Sequence, residues 1–243
     1  MKLSTYATPD SVMEKDFKEK VVVVIDVLRA SSTMIAALHN DCREIVPVKE
    51  IEEAVNMSKN YDKDSYLLCG ERNTLPIEGF DLSNSPLEYS RETVEGKTLL
   101  LTTTNGTRAI KMTSEASSVV ICSMINVDVV VDYILDQDKD TTFICAGTNG
   151  RFTLDDCITA GAVISRIKEK AAVEMDDLSI ISCDAYEFSR HKIHEVLKDT
   201  YHYKRMKALG LTEDIDFCLT ENSAPVVGIY QDGVVRRLDK VQE

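Results

Sequence analysis

The sequence predicts an α/β protein built on a mostly parallel sheet, and three observations carry that prediction. Val21–Ile25 is a run of five β-branched residues, too apolar to face water on either side, which suits a strand covered on both faces. Apolar, strand-like runs alternate along the chain with helix-like ones, the pattern of βα units. Strand–loop–helix units also recur as VVVVIDVLRASST, TLLLTTTNGTRAI and TFICAGTNGRFTLDD. Each places one arginine in a loop of Ser, Thr, Asn or Gly, a weak internal duplication or repeated use of one anion-binding device rather than a solenoid period.

Taken in order, Leu3–Tyr6 reads as a short first strand and Asp10–Lys20 as a polar helix or connection. The core strand Val21–Ile25 stops at Asp26; Arg29 follows, then Ser31, Ser32 and Thr33 precede a helix-prone run that ends near His39–Asn40. CREIVPV is strand-like, EIEEAVNMSKNY is an amphipathic helix, and Tyr66–Cys69 is a strand ending in Gly70–Asn73. From there to Pro86 the chain is irregular, and a loop of that length is expected to be functional when ordered; Phe80 and Leu82 favour order. The pattern then restarts with strand Lys97–Thr102, the turn TTNGTRA and the helix AIKMTSEA. Strand Val119–Cys122, helix Asp128–Leu135, strand Thr142–Ala146 and helix CITAGAVISRIKEKA follow. Leu178–Ser182 reads as a last strand, Ala185 to about Leu209 as a long polar helical region. The tail reads as a docked segment ending in a hairpin around Gln231-Asp232-Gly233.

A chain of 243 residues makes one large α/β domain or two intimately packed halves, about 1–95 and 96–243. The formal net charge of −13 argues against a nucleic-acid or anionic-membrane surface. It leaves room for a small anionic ligand held by a few converging arginines. The N-terminus has no apolar core fit for a signal peptide, and no run approaches membrane-spanning length. Seven cysteines with no C-x-x-C pair suit reduced, buried thiols in a cytoplasmic protein, without structural zinc.

A carboxylate, a guanidinium and hydroxyls where a buried strand hands over to a helix mark the place where open α/β sheets bind ligands. Arg29, Arg108 and Arg151 each follow such a strand and offer planar forks matched to phosphate, sulfonate or carboxylate. Asn105-Gly106-Thr107 and Asn149-Gly150 add glycines that let a backbone approach a ligand, though Asn-Gly is also a common turn. Three such loops favour a shared polyanion pocket over three unconnected turns. Among the carboxylates, Asp26 and Glu71 sit at strand ends, and Asp155 and Asp156 precede a helix, where acids are favoured anyway. Hard oxygen ligands beside a phosphate site suit Mg²⁺. His191 and His194, with Glu187 and Glu195 nearby, match no metalloprotease motif and read as a solvated helix face. Cys157 reads as a small buried thiol unless a base stands beside it. No Walker A or G-x-G-x-x-G sequence supports nucleotide binding.

Together, VVVIDVLRASST, CGERN, GFDLSNSPLEY, LLLTTTNGTRAI and AGTNGRFTLDDCITAG resemble the 2-phosphosulfolactate phosphatases, from about Val21 to Ile164, with a compatible tail at DIDFC. The resemblance implies a three-layer α/β/α fold of two related halves and Mg²⁺-dependent hydrolysis of 2-phosphosulfolactate to sulfolactate and phosphate, a step of coenzyme M biosynthesis. It implies a site built from Asp26, Arg29, Ser31, Ser32, Thr33, Glu71, Arg72, Asn84, Ser85, Asn105, Gly106, Thr107, Arg108, Gly150, Arg151 and Asp156, beside which we read Asn149 as substrate-binding. Within that set we expect Asp26, Glu71 and Asp156 to hold Mg²⁺, with Arg29, Arg108 and Arg151 stabilising charge as water attacks in line. Phospho-aspartate formation at Asp26 is the variant; position 28 is Leu28, so the D-x-D nucleophile pattern is absent. Two other classes compete: a cysteine hydrolase using Asp26 and Cys157, and a non-catalytic module binding a small polyanion.

Overall fold

Strand β1 spans Lys2–Tyr6, β2 Val21–Ile25, β3 Glu44–Val48, β4 Tyr66–Arg72, β5 Leu75–Pro76, β6 Thr98–Thr102, β7 Ser118–Cys122, β8 Thr141–Cys145, β9 Glu174–Met175, β10 Gly228–Gln231 and β11 Val234–Arg237. The helices are α1 Ala30–His39, α2 Ile51–Ser58, α3 Arg91–Val94, α4 Gly106–Lys111, α5 Val127–Gln137, α6 Leu154–Lys170, α7 Asp177–Ser189, α8 Ile193–Leu197, α9 Tyr201–Ala208, α10 Thr212–Cys218 and α11 Leu238–Val241. This computed structural model describes residues 1–12, 17–111, 113, 116 and 118–241, apart from the side chains of Thr107, Arg108, Lys111, Lys240 and Val241. Residues 13–16 of the stretch read as a polar connection, and Met112, Ser114 and Glu115 of the AIKMTSEA helix, lie outside the described residues.

The strands form one sheet in the order β5-β4-β6-β3-β11-β10-β7-β2-β8-β1-β9. Two parallel arrays, β4-β6-β3 and β7-β2-β8-β1-β9, are joined by the antiparallel hairpin β10–β11. The predicted tail hairpin is therefore the seam of the sheet. All five residues of β2 are buried, as their composition requires. Val21, Val23 and Ile25 face a core shared with α5 and α6. Val22 and Val24 face α1 and α4, which makes a three-layer α/β/α arrangement. Four strands separate β6 from β2 in the sheet, yet Gly106, just past β6, lies against Asp26, just past β2. The sheet therefore curls around α1, which is buried from Ala30 to Leu38.

One element differs from the sequence reading. Leu178–Ser182 is not a strand but part of α7, capped by Asp176, which accepts the Ser179 N–H at 2.8 Å. Its isoleucines mislead: Ile180 and Ile181 are 43% and 59% exposed, while Ser179, Ser182, Cys183 and Tyr186 are buried at helical spacing. Small residues face inward because α6 packs very closely there. The polar region from Ala185 to Leu209 is helical as read, made of the end of α7, then α8 and α9.

A Cβ on Gly161 of α6 would stand 1.9 Å from the Ser182 carbonyl oxygen. Gly→Ala in a helix interior ordinarily stabilises by about 0.5–1 kcal/mol. Here the sign should reverse: Gly161→Ala is expected to cost about 1–3 kcal/mol through overpacking against backbone. Urea denaturation checks this through the midpoint, and a stabilised variant would contradict so close a helix contact.

Candidate active site

The end of β2 is fixed by its own backbone. The Asp26 N–H donates to Ser31 Oγ at 2.9 Å, and the Ser31 N–H returns a bond to the Asp26 carbonyl at 2.8 Å. Asp26 Oδ1 accepts the Ala30 N–H at 3.2 Å at the start of α1. A Cβ on Gly106 would stand 2.8 Å from Asp26 Oδ2 and 2.6 Å from Ala30 Cβ, so only glycine fits there. One residue beyond Asp26, the Val27 N–H donates to Asp156 Oδ1 at 2.9 Å. Asp156 Oδ2 also accepts the Gly147 N–H at 3.0 Å and the Thr153 hydroxyl at 2.7 Å.

Asp26 opens into a cavity of about 90 Å³ that is also lined by Arg29, Glu71, Asn73, Thr74, Asn84, Thr103, Thr104, Asn105, Thr148, Asn149, Tyr201, His202 and Arg205. Glu71 is held by two backbone donors, Thr74 N–H on Oε2 at 2.6 Å and Thr104 N–H on Oε1 at 2.7 Å. Arg29 is buried; its Nη1 pairs with Asp214 Oδ2 and its Nη2 donates to the Thr74 carbonyl. Asp214 is completed by the Ser85 hydroxyl at 2.8 Å. Asn84 is 4% exposed, lines the cavity, and its Oδ1 has no hydrogen-bond partner among the described residues. A buried acceptor in that state is satisfied by a water or an ion in the cavity.

The predicted site residues separate into groups. Asp26, Arg29, Glu71, Asn84, Asn105 and Asn149 meet at the cavity. Ser31, Ser32 and Thr33 do not line it. Ser31 is tied to Asp26, Ser32 donates to the Val27 carbonyl and pairs with Ser123, and Thr33 donates to the Asn84 carbonyl. Arg72 points elsewhere, its guanidinium on the carbonyls of Glu71 and Lys49 and on Thr102 Oγ1. Ser85 acts through Asp214. Arg151 lines an adjoining cleft of about 510 Å³ with Phe152, Thr153, Leu154, Asp155 and Thr200. Gly150 lies between Asn149 and Arg151, and the side chains of Thr107 and Arg108 lie outside the described residues. Cys157 is buried in α6 against the Ser182 hydroxyl and lines neither space. His194 contacts the Tyr203 hydroxyl at 3.3 Å, and His191 is exposed.

Sequence reading missed Tyr201, His202 and Arg205, all from α9. Tyr203 and Met206 anchor that helix in the core, which leaves Tyr201, His202 and Arg205 on the other side, one helical turn from end to end. Arg205 Nε donates to Thr74 Oγ1 at 3.1 Å and its Nη2 to the Asn73 carbonyl. His202 Nδ1 lies 3.0 Å from Thr148 Oγ1. A histidine and an arginine at i, i+3 opposite an apolar pair were the available signal.

Electrostatically the cavity is crowded. Burial, then the neighbouring Asp156, and also Glu71, push the Asp26 carboxyl well above the usual range, against the Ala30 N–H and Arg29. Burial lifts Asp156 to about 6 despite its three donors, and burial plus Asp156 raises Asp155. Burial and the nearby Arg29 lower His202 to about 4. Carboxylates so placed favour a cation among them. No cluster of three or more His, Cys, Asp or Glu forms a metal cage among the described residues. The donors on offer are two carboxylates, Asp26 and Glu71, and the unpartnered Asn84 oxygen. That set fits Mg²⁺, which binds through one or two carboxylates and otherwise keeps waters and phosphate oxygens.

The Arg29–Asp214 pair is buried at 3% and 5% side-chain exposure. Removing one charge strands the other, so Asp214→Asn should destabilise the fold by about 3–5 kcal/mol. Denaturant titration reads this directly; a loss within experimental error would mean the pair is solvated in solution.

Comparison with known proteins identifies the family. Residues 6–233 match the sequence profile of the family described as 2-phosphosulpholactate phosphatase. A probable 2-phosphosulfolactate phosphatase of Caldanaerobacter subterraneus subsp. tengcongensis is 49% identical over 236 residues, covering 97% of this chain and 98% of that one. Proteins of the same description from Clostridium beijerinckii and Clostridium tetani are 42% and 41% identical, each over 97% of this chain and 99% and 100% of their own. The chain belongs to the 2-phosphosulfolactate phosphatase family.

Proposed function

We propose that this protein is a phosphoric monoester hydrolase that converts 2-phosphosulfolactate to sulfolactate and phosphate with Mg²⁺, a reaction of the coenzyme M type. One observation carries the reading: Asp26, Glu71 and the unpartnered Asn84 oxygen share a small cavity with Arg29 and Arg205. A phosphate fits there because it brings acceptors for the guanidiniums and shares a cation with the carboxylates. Family membership supports the substrate class.

Asp26, Glu71 and Asn84 would hold the ion, which when bound supplies Lewis-acid polarisation of the phosphoryl group. Arg29, fixed by Asp214, and Arg205, fixed by Asn73 and Thr74, sit ready to take the charge that develops on phosphoryl oxygens. Their pre-set geometry avoids reorganisation at the moment of reaction. Asp156 serves as a positioning residue, since its oxygens hold the Val27 and Gly147 N–H groups and the Thr153 hydroxyl. The adjoining cleft takes the organic acid, with Arg151 offered to its sulfonate or carboxylate. All seven cysteines are free and buried, which supports a reducing, cytoplasmic setting. No helix among the described residues is long and apolar enough to cross a membrane.

Phosphate release from 2-phosphosulfolactate tests the reading, and should require a divalent cation and stop with chelator. Mg²⁺ alone should raise the melting temperature of the wild type. Asp26→Asn should remove both that shift and turnover while far-ultraviolet circular dichroism stays native. Full turnover in verified metal-free buffer would reject the metal assignment. Arg151→Gln should raise KM for 2-phosphosulfolactate by about tenfold, a charged hydrogen bond's contribution of about 1.5 kcal/mol, and change KM for glycerol 2-phosphate little. Equal shifts for both esters would place Arg151 at the phosphate instead.

A further inference from the structure

Among the described residues the cavity and the adjoining cleft share four lining residues, Thr148, Asn149, Tyr201 and His202. With the phosphate among Asp26, Glu71, Arg29 and Arg205 and the organic acid beside Arg151, the C–O–P link must pass these four. Two of them, Tyr201 and His202, carry a side-chain proton that can be transferred. Tyr201 is 69% exposed. His202 is half-buried and held through Nδ1 by the Thr148 hydroxyl at 3.0 Å. Its Nε2 has no hydrogen-bond partner among the described residues.

We propose that His202 is a catalytic residue whose Nε2 donates a proton to the ester oxygen as the alcohol departs. The inference rests on the phosphatase reading above. In the step, a water oxygen forms a bond to phosphorus while the bond from phosphorus to the ester oxygen breaks, its electron pair staying on that oxygen. The imidazolium Nε2–H passes its proton to that oxygen, which leaves as the neutral alcohol of sulfolactate. The proton lost by the attacking water goes to solvent, from which the imidazole is later reprotonated, so charge and atoms balance. In the free protein, burial and Arg29 oppose the imidazolium. A bound substrate bearing phosphate, carboxylate and sulfonate adds negative charges that favour it.

The step makes His202 matter in proportion to how poor the leaving group is. An alkoxide such as that of sulfolactate needs the proton; a p-nitrophenolate does not. His202→Gln and His202→Asn should each lower kcat on 2-phosphosulfolactate by about 10²–10⁴-fold, the usual contribution of general acid catalysis. Their loss on p-nitrophenyl phosphate should stay within about tenfold. His202→Ala should regain part of its turnover of 2-phosphosulfolactate when imidazole is added. Calorimetry with sulfolactate should show near wild-type affinity in all three variants. Equal losses on both esters, or unchanged turnover of 2-phosphosulfolactate, or no imidazole rescue together with weakened sulfolactate binding, would overturn the assignment and leave His202 a structural residue. Wild-type protein that releases no phosphate from 2-phosphosulfolactate overturns the phosphatase reading itself, an outcome separate from the behaviour of the His202 variants.

Discussion

The site depends on one buried carboxylate that touches no part of the cavity. Asp156 gathers the N–H of Val27 after β2, the N–H of Gly147 after β8, and the hydroxyl of Thr153 at the start of α6. These three donors lie where the chain leaves regular structure, so each would otherwise be an unsatisfied buried group. By holding them together, Asp156 sets the angle at which Asp26 leaves β2 and at which Thr148 and Asn149 leave β8. The arrangement has an electrostatic cost, visible in the raised Asp26 and Asp156 carboxyls. In the proposed function a cation in the neighbouring cavity would offset that cost.

What was legible in the sequence followed from burial and strand position. VVVVI announced a central strand, and Asp26 and Glu71 were conspicuous because an acid at the end of a buried strand has few innocent explanations. Hydroxyls and guanidiniums were harder to read. Ser31, Ser32, Thr33 and Arg72 have the chemistry of anion binders, but the local backbone takes up their hydrogen bonds. Composition cannot distinguish a donor aimed at a ligand from one aimed at a carbonyl. Leu178–Ser182 failed for a tertiary reason. The α6–α7 contact at Gly161 admits serine and cysteine and turns the isoleucines outward, the reverse of the usual pattern. Helix α9 was missed because its only local mark is a histidine and an arginine at i, i+3: its three cavity residues stand more than 95 positions beyond Asn105, and the curled sheet brings them together.

Selectivity for a polyanion in a chain of net charge −13 must come from short-range contacts, because the long-range field is repulsive. The structure supplies those contacts in two different states of readiness. Arg29 is buried and already neutralised by Asp214, so it contributes orientation more than attraction. Arg205 is anchored by Thr74 and Asn73 without a carboxylate partner among the described residues, so its charge is available to a phosphate. Two guanidiniums that look alike in sequence thus differ, one committed to a buried ion pair and the other held by neutral acceptors.

The same division runs through the fold. Asp26, Glu71 and the Thr103–Asn105 turn stand on strand ends whose positions are fixed by the ladder and by the packed core beneath it. Tyr201, His202 and Arg205 stand on a short helix held by two apolar residues, Tyr203 and Met206, and by polar bonds to Thr148, Asn73 and Thr74. Fewer buried contacts mean a smaller free energy for local opening. The floor of the cavity is therefore held more firmly than the wall formed by α9. Because Arg205 and His202 share one turn of α9, a phosphate engaging Arg205 as proposed would also fix where His202 stands relative to the ester oxygen. In the proposed reaction, binding and positioning of the proton donor would then be a single event, which is how a pocket assembled from distant segments acquires defined geometry.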